Sequence, residues 1–166
     1  ENEFHPRYSV VSKAYEYHIH NAPYRDPFLN KRVYHDPVRI DEAALQRMNQ
    51  VAQLFVGQHD FSGFMSAGSS VEDCRRTVMS AEVRQVGDRI TYRVEADGFL
   101  YNMARAMAGT VVYAAEGKIK PSEIGAILDS GNRTAAGPTV PAGGLYMSHL
   151  WYDDGVELFE CTPTVT

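Results

Sequence analysis

Seventeen residues from Phe99 to Ala115 carry a single charge, Arg105. Gly117 follows closely, so the run predicts one helix over 99–115. At about 100° per residue, Leu100, Met103, Ala104, Met107, Ala108, Val111 and Ala115 form its core stripe. Arg105 lies off that stripe, yet its helical neighbours Tyr101, Ala108, Gly109 and Val112 are uncharged too. A helix apolar nearly all round is buried nearly all round. A buried guanidinium with no anion beside it costs several kcal/mol. Either a carboxylate or phosphate faces Arg105, or its head group snorkels to water.

The flanking patterns supply the other elements. Val11, Lys13, Tyr15, Tyr17 and Ile19 alternate with Ser12, Ala14, Glu16 and His18, which predicts a first strand with one buried face. A loop rich in proline and aromatics runs from Pro23 to Pro37. Asp41 reads as the N-cap of a helix carrying Leu45, Met48, Ala52, Phe55 and Val56, stopped at Gly57. Thr77–Val86 and Arg89–Asp97 read as two strands turned at Gly87-Asp88. Pro121–Ser130 reads as a short helix ended by Gly131, and Leu145–Tyr152 as the last strand. Apart from the short helix, the order is βαββαβ. That predicts an α+β, ferredoxin-like domain, an antiparallel sheet with helices packed on one face. Residues 1–153 make this domain and 154–166 an irregular C-terminal extension. Fold alone leaves the free sheet face open to a ligand, RNA or another domain.

Composition excludes several classes. At 166 residues, 44% hydrophobic and 22% charged, the chain fits one ordinary globular domain. No run of about 18 apolar residues suggests a membrane span. The N-terminus lacks the basic-then-apolar pattern of a signal peptide. Without an initiator Met, the chain is expected to begin partway through a longer product. Two cysteines, Cys74 and Cys161, give neither a disulfide framework nor a zinc pair. A cytoplasmic, reducing location is the expectation, and Cys74, beside Arg75 and Arg76, reads as a spectator thiol. The net charge of −5 is unusual for a nucleic-acid binder, although twelve of the 16 basic residues are Arg, which suits bidentate phosphate contacts.

The candidate chemistry is sparse. No HExxH, Gly-x-Ser-x-Gly or GxGxxG pattern occurs, so no metal or cofactor is expected. His18 and His20 lie two apart on the polar face of the first strand, a weak pattern for a metal site. The loop Arg133–Gly144 is rich in glycine and proline but lacks a phosphate-binding Gly-Lys-Ser/Thr ending. Tyr15 and Tyr17, on the apolar face, read as core tyrosines or as an aromatic platform for a base.

Six segments, in order, resemble the TruA family of tRNA pseudouridine synthases. Phe4-His5-Pro6-Arg7-Tyr8-Ser9 is similar to F-H-A-R-F-S, and Ser12-Lys13-Ala14-Tyr15-Glu16-Tyr17 to S-K-x-Y-x-Y. Gly57-Gln58-His59-Asp60-Phe61, completed by Phe64, resembles G-x-H-D-F-x-x-F. Arg76-Thr77 resembles the start of R-T-I. Gly98-Phe99-Leu100-Tyr101-Asn102-Met103-Ala104-Arg105, continued by Gly109-Thr110, resembles G-F-L-Y-N-M-V-R. Ala136–Leu145 resembles A-G-x-T-x-P-x-x-G-L. The resemblance implies isomerisation of uridine to pseudouridine in the tRNA anticodon stem-loop, at positions 38–40, by a homodimer without cofactor or metal. It implies that Tyr15 lies against the target uracil, that Leu145 packs on it, and that Arg105 pairs with the catalytic aspartate. The family's aspartate lies in a G-R-T-D-x-G-V-H segment of a preceding domain, which these 166 residues do not contain. Asp60 belongs to a different motif. Glu16 stands where a basic residue is usual and Ala104 where Val is. The resemblance thus implies a C-terminal portion, inactive alone, that supplies one wall of the site. The rival reading is a non-catalytic ferredoxin-like RNA-binding or dimerisation module, though no strand has an RNP1-like aromatic pattern.

Overall fold

The computed structural model describes residues 9–68 and 71–152. Residues 4–8 of the first motif, Cys161 and the extension lie outside the described residues. The first strand, β1 (Val10–Asn21), is the axis of a six-stranded sheet. On one side it pairs antiparallel with β5 (Arg89–Ala96), setting Tyr15 opposite Val94 and Tyr17 opposite Tyr92. On the other it pairs antiparallel with β6 (Leu145–Tyr152), setting Tyr17 opposite Leu145. Beyond β5 comes β4 (Arg75–Val86), turned at Gly87, whose φ of 58° requires the left-handed region that glycine tolerates. The central strands run β6-β1-β5-β4, antiparallel throughout, with α1 (Glu42–Leu54) and α2 (Met103–Ala115) in the predicted places. This is the βαββαβ arrangement.

Two short strands were not legible in the sequence. β3 (Gly57–Asp60) adds to the free edge of β4. β2 (Tyr34–Asp36) pairs parallel with Ile19–Asn21, making the sheet mixed at that corner. Each is three or four residues long, too short to show an alternation. Asn21 secures β2: its amide nitrogen donates to the carbonyls of Asp36 and Val38, and its amide oxygen accepts from the Ile40 amide.

The helices cover the face that carries Tyr17, Ile19, Ile90, Tyr92 and Val94. Asp41 caps α1 through the Ala44 amide at 2.8 Å. Met48, Val51, Ala52 and Phe55 bury against Met103, Met107 and Val111 of α2. α3 (Ile124–Ser130), opened by Pro121–Glu123 and closed by Gly131 at φ 60°, adds Ile124, Ile127 and Leu128 to the same core. The opposite sheet face is polar, with Glu16 2.9 Å from His18 and Arg93 3.5 Å from Glu95. His18 is nevertheless buried, its ring 4.8 Å from that of Tyr146. The single buried face expected of β1 does not hold along the strand: in its second half Tyr17 and Ile19 are buried on the expected face and His18 is buried on the other. In the first half Ser12 and Ala14 are the buried positions, and the register with β6 slips between Ala14 and Tyr15. Among the described residues, no helix is long and apolar enough to cross a membrane.

Candidate active site

The last connection, residues 131–144, is seated by direct contact of two backbones. A side chain on Gly109 of α2 would collide with the Pro138 carbonyl, and one on Gly137 with the backbone of Thr110. Thr110 locks this approach. Its hydroxyl donates to the Ala106 carbonyl and accepts from the Gly137 amide, both at 2.9 Å. Arg133 braces the loop from within, donating to the Gly137 carbonyl at 2.7 Å and the Thr139 hydroxyl at 2.8 Å. Partial burial pulls its pKa down without a carboxylate to offset it.

The seated loop presents two carbonyls to the site. Arg105 Nε donates to the Val140 carbonyl at 2.7 Å, and the Tyr17 hydroxyl donates to the Pro141 carbonyl at 2.9 Å. Burial pushes the Tyr17 hydroxyl pKa up, with Tyr34 adding to the rise and the nearby Arg105 guanidinium opposing it. Leu145, directly after the loop, is opposite Tyr17 in the ladder.

The predicted helix begins four residues late, and the reason is the backbone at Asn102. Asn102 sits at φ 60°, ψ 10°, a left-handed conformation that Asn tolerates better than most side chains, and α2 starts after it. Tyr101 therefore lies outside the helix, 59% exposed, and is no helical neighbour of Arg105. The Asn102 side chain links two segments: its oxygen accepts from Arg105 Nη1 at 2.9 Å and its nitrogen donates to the Ser66 hydroxyl at 3.1 Å. Sequence reasoning missed Asn102. The signal available was an Asn three residues before the lone arginine, at a helix start.

Arg105 is half-buried and held by two neutral acceptors. Among the described residues no carboxylate lies within ion-pair distance of it. The carboxylate or phosphate that the helical pattern called for is not provided by the described part of this chain. Tyr15, also half-buried, meets Phe99 edge to face, with ring centres 4.9 Å apart. Burial raises its hydroxyl pKa. Thus Tyr15, Phe99, Asn102, Arg105 and Leu145 come from β1, the segment before α2, α2 and the start of β6. All are half-buried.

Two motif segments serve as scaffold. Phe61 and Phe64 are fully buried against Phe55, while the exposed Asp60 accepts from the Ser62 amide. Arg76 packs its side chain on Gly98, and Thr77 and Asp97 exchange hydrogen bonds, fixing where the 98–102 segment leaves the sheet.

A family-wide sequence profile described as tRNA pseudouridine synthase matches residues 51–153. The chain is 39% identical over 154 residues to tRNA pseudouridine synthase A of Bacillus pumilus (strain SAFR-032), covering 93% of this chain and 61% of that protein. With the Bacillus subtilis (strain 168) protein of the same name, identity is 36% over 154 residues, with the same coverage. With that of Geobacillus kaustophilus (strain HTA426), it is 40% over 152 residues, 92% of this chain and 58% of the relative. The chain thus spans about three-fifths of the length of these curated relatives. The profile match, over more than half of the chain, shows that this chain belongs to the tRNA pseudouridine synthase family.

Proposed function

We propose that the longer protein to which this chain corresponds isomerises uridine to pseudouridine at positions 38–40 of the tRNA anticodon stem-loop. This chain supplies one wall of the active site and part of the tRNA surface. The reaction exchanges the bond from ribose C1′ to N1 for one from C1′ to C5 of the same base, so it needs neither oxidant nor group donor. In this reading Arg105 pairs with a catalytic aspartate brought by residues outside this chain. Tyr15 lies against the uracil and Leu145 packs on it, once the nucleotide has left its stack. The protein acts as a cytoplasmic homodimer.

The observation that carries the reading is the state of Arg105. Two of its five donors are spent on the Val140 carbonyl and the Asn102 amide oxygen, which orient the guanidinium without neutralising it. An oriented, half-buried cation with donors to spare suits an incoming anion.

The test is tritium release from tRNA labelled at uridine C5, which counts C5 substitution directly. The full-length protein should release tritium. R105A should lower the rate by about 100-fold or more, the scale of losing an electrostatic partner at a reacting centre. The isolated 166 residues should release none. Turnover by the isolated chain, or a wild-type rate for R105A, refutes the assignment. Tight tRNA binding without tritium release by the full-length protein would leave the non-catalytic RNA-binding reading in its place.

A further inference from the structure

The connection between β1 and β2 contributes two large rings that bury almost nothing in this chain. Tyr24 is 85% exposed and Phe28 86% exposed. Two such rings four residues apart on one short loop offer flat faces on which another ring can stack. Between and beside them stand Arg25 and Lys31, both exposed. Among the described residues neither has a carboxylate within ion-pair distance. The one acid of the segment, Asp26, accepts from the Phe28 amide at 2.8 Å and caps the turn Pro27–Leu29. In a chain of net charge −5, this is a local excess of positive charge.

A cavity of about 260 Å³ opens here, lined by Arg25, Lys31, His20 and His35 among others. The two imidazoles face each other, with ring centres 5.9 Å apart, at the point where β1 and β2 pair. The segment is fixed in place. Lys31 holds a φ of 62°, its carbonyl abuts Gly143, and the Arg32 carbonyl accepts from the Tyr146 hydroxyl at 2.7 Å. Gly143 and Tyr146 flank Leu145, so the loop is attached to the margin of the candidate active site.

Exposed rings alternating along the loop with unpaired cations, beside a cavity that Arg25 and Lys31 line together with Asp26, Leu29 and Val33, match one ligand chemistry, an unpaired stretch of nucleic acid. Its bases stack on any aromatic face and its phosphates seek fixed cations. We propose that this loop is a nucleotide-binding subsite for unpaired RNA beside the target uridine. Tyr24 and Phe28 stack on bases, and Arg25 and Lys31 hold the intervening phosphate at the cavity. This rests on the tRNA reading above and extends it to residues outside the Arg105 wall.

The experiment uses the full-length protein and unmodified tRNA transcripts. Y24A/F28A should weaken tRNA binding about tenfold or more, the usual scale for losing a base–aromatic stack. The loss should fall on KM rather than kcat, and F28W in the Y24A background should recover part of it. R25A/K31A should flatten the dependence of log affinity on log salt by about 0.7, the single-strand value for the one phosphate charge that is no longer neutralised. Tyr24 and Phe28 are exposed, so the melting temperature should not move. Wild-type affinity and salt slope in both double variants overturn the subsite. So does a shift in the monomer–dimer equilibrium with the salt slope unchanged, because the loop would then be a contact between copies. If the wild type binds tRNA but releases no tritium while the variants bind more weakly, the isomerase assignment fails and the subsite stands. If the wild type releases tritium and the variants match it, only the subsite fails.

Discussion

Replacing Gly109 by alanine adds one methyl group at the tightest point of the site's support. Ordinary helix energetics favour the change, since alanine is preferred over glycine inside a helix by about 1 kcal/mol. The local geometry opposes it. The new methyl would overlap the Pro138 carbonyl oxygen and sit 2.9 Å from its carbon and 3.2 Å from Val140 Cγ1. Comfortable carbon contacts begin near 3.5 Å, so the loop must retreat from α2 by on the order of 1 Å. The nearest group, the Pro138 carbonyl, is backbone, which does not swing aside like a side-chain end. Overpacking of this kind costs roughly 1–3 kcal/mol, sometimes more. Retreat also strains the bond from the Gly137 amide to Thr110 and the bond from Arg105 to the Val140 carbonyl. A strained bond to a charged group adds about 1.5–3 kcal/mol if it is broken.

The helix-propensity gain is therefore outweighed, and G109A should lose roughly 2–4 kcal/mol net. For a domain of this size that is a fall in melting temperature on the order of 4–16 °C. Thermal unfolding followed by circular dichroism measures it directly. G137A, which crowds the same contact from the other side, should behave alike. The double variant should cost less than the sum, because one retreat relieves both clashes. A melting temperature for G109A at or above the wild type would mean that propensity won. The close approach of loop and helix would then not be what seats the Arg105 acceptors.

Two further outcomes follow from buried tyrosines. Tyr92 is wholly buried, and among the described residues its hydroxyl has no partner. Y92F removes a desolvated, unsatisfied group and should stabilise by about 1 kcal/mol, a rise of roughly 2–4 °C in melting temperature; a lower melting temperature would contradict this. Burial also raises the hydroxyl pKa of Tyr92 and Tyr17 above the ordinary 10.0. The folded state then holds these protons more tightly than the unfolded chain. The resulting stabilisation is complete below about pH 10 and is lost as pH rises from there toward the folded values. Stability from urea unfolding should therefore hold steady to about pH 10 and then fall, and Y92F should remove from that fall the share of one tyrosine, a limiting slope of about 1.4 kcal/mol per pH unit. A midpoint flat from pH 8 to 11 would rule this out.

The sequence disclosed the βαββαβ frame because its long elements carry full periods. The alternation of Ile90, Tyr92, Val94 and Ala96 is complete, and all four are buried. The α2 stripe from Met103 to Val111 is buried as its spacing required. Periodicity could not show where α2 begins. Gly98–Asn102 is as apolar as the helix that follows, and the break comes from the backbone angles of Asn102, which no hydrophobic pattern encodes. β2 and β3 stayed hidden because each is held by edge pairing and by the Asn21 side chain rather than by a buried face of its own. Within the candidate site, Arg105 stood out as a lone charge. Tyr15 was open by pattern to two readings, core or base platform, and resemblance of its segment to a family chose between them; Leu145 was singled out by resemblance alone, since a leucine at a core-facing position is ordinary. The glycines at 109 and 137 entered the sequence reading only as members of their segments. Only the structure shows that they face each other across a contact with no room for a side chain.

The folded chain answers the question that the apolar helix poses about its arginine in an unexpected way. The guanidinium is neither neutralised by an acid nor released to solvent. It is clamped by a carbonyl from one segment and an amide oxygen from another. Neutral acceptors recover part of the hydration lost on burial and fix the direction of the remaining donors, but they leave the whole charge in place. A salt bridge within the chain would have stabilised the fold at the expense of any incoming anion. Keeping the charge unpaired costs stability, and Gly109, Gly137, Thr110 and Arg133 are the residues that hold the clamp against that cost. The packing that seats residues 131–144 and the proposed chemistry of Arg105 are therefore one arrangement. A substitution that loosens the loop should disorient the cation before it unfolds the domain.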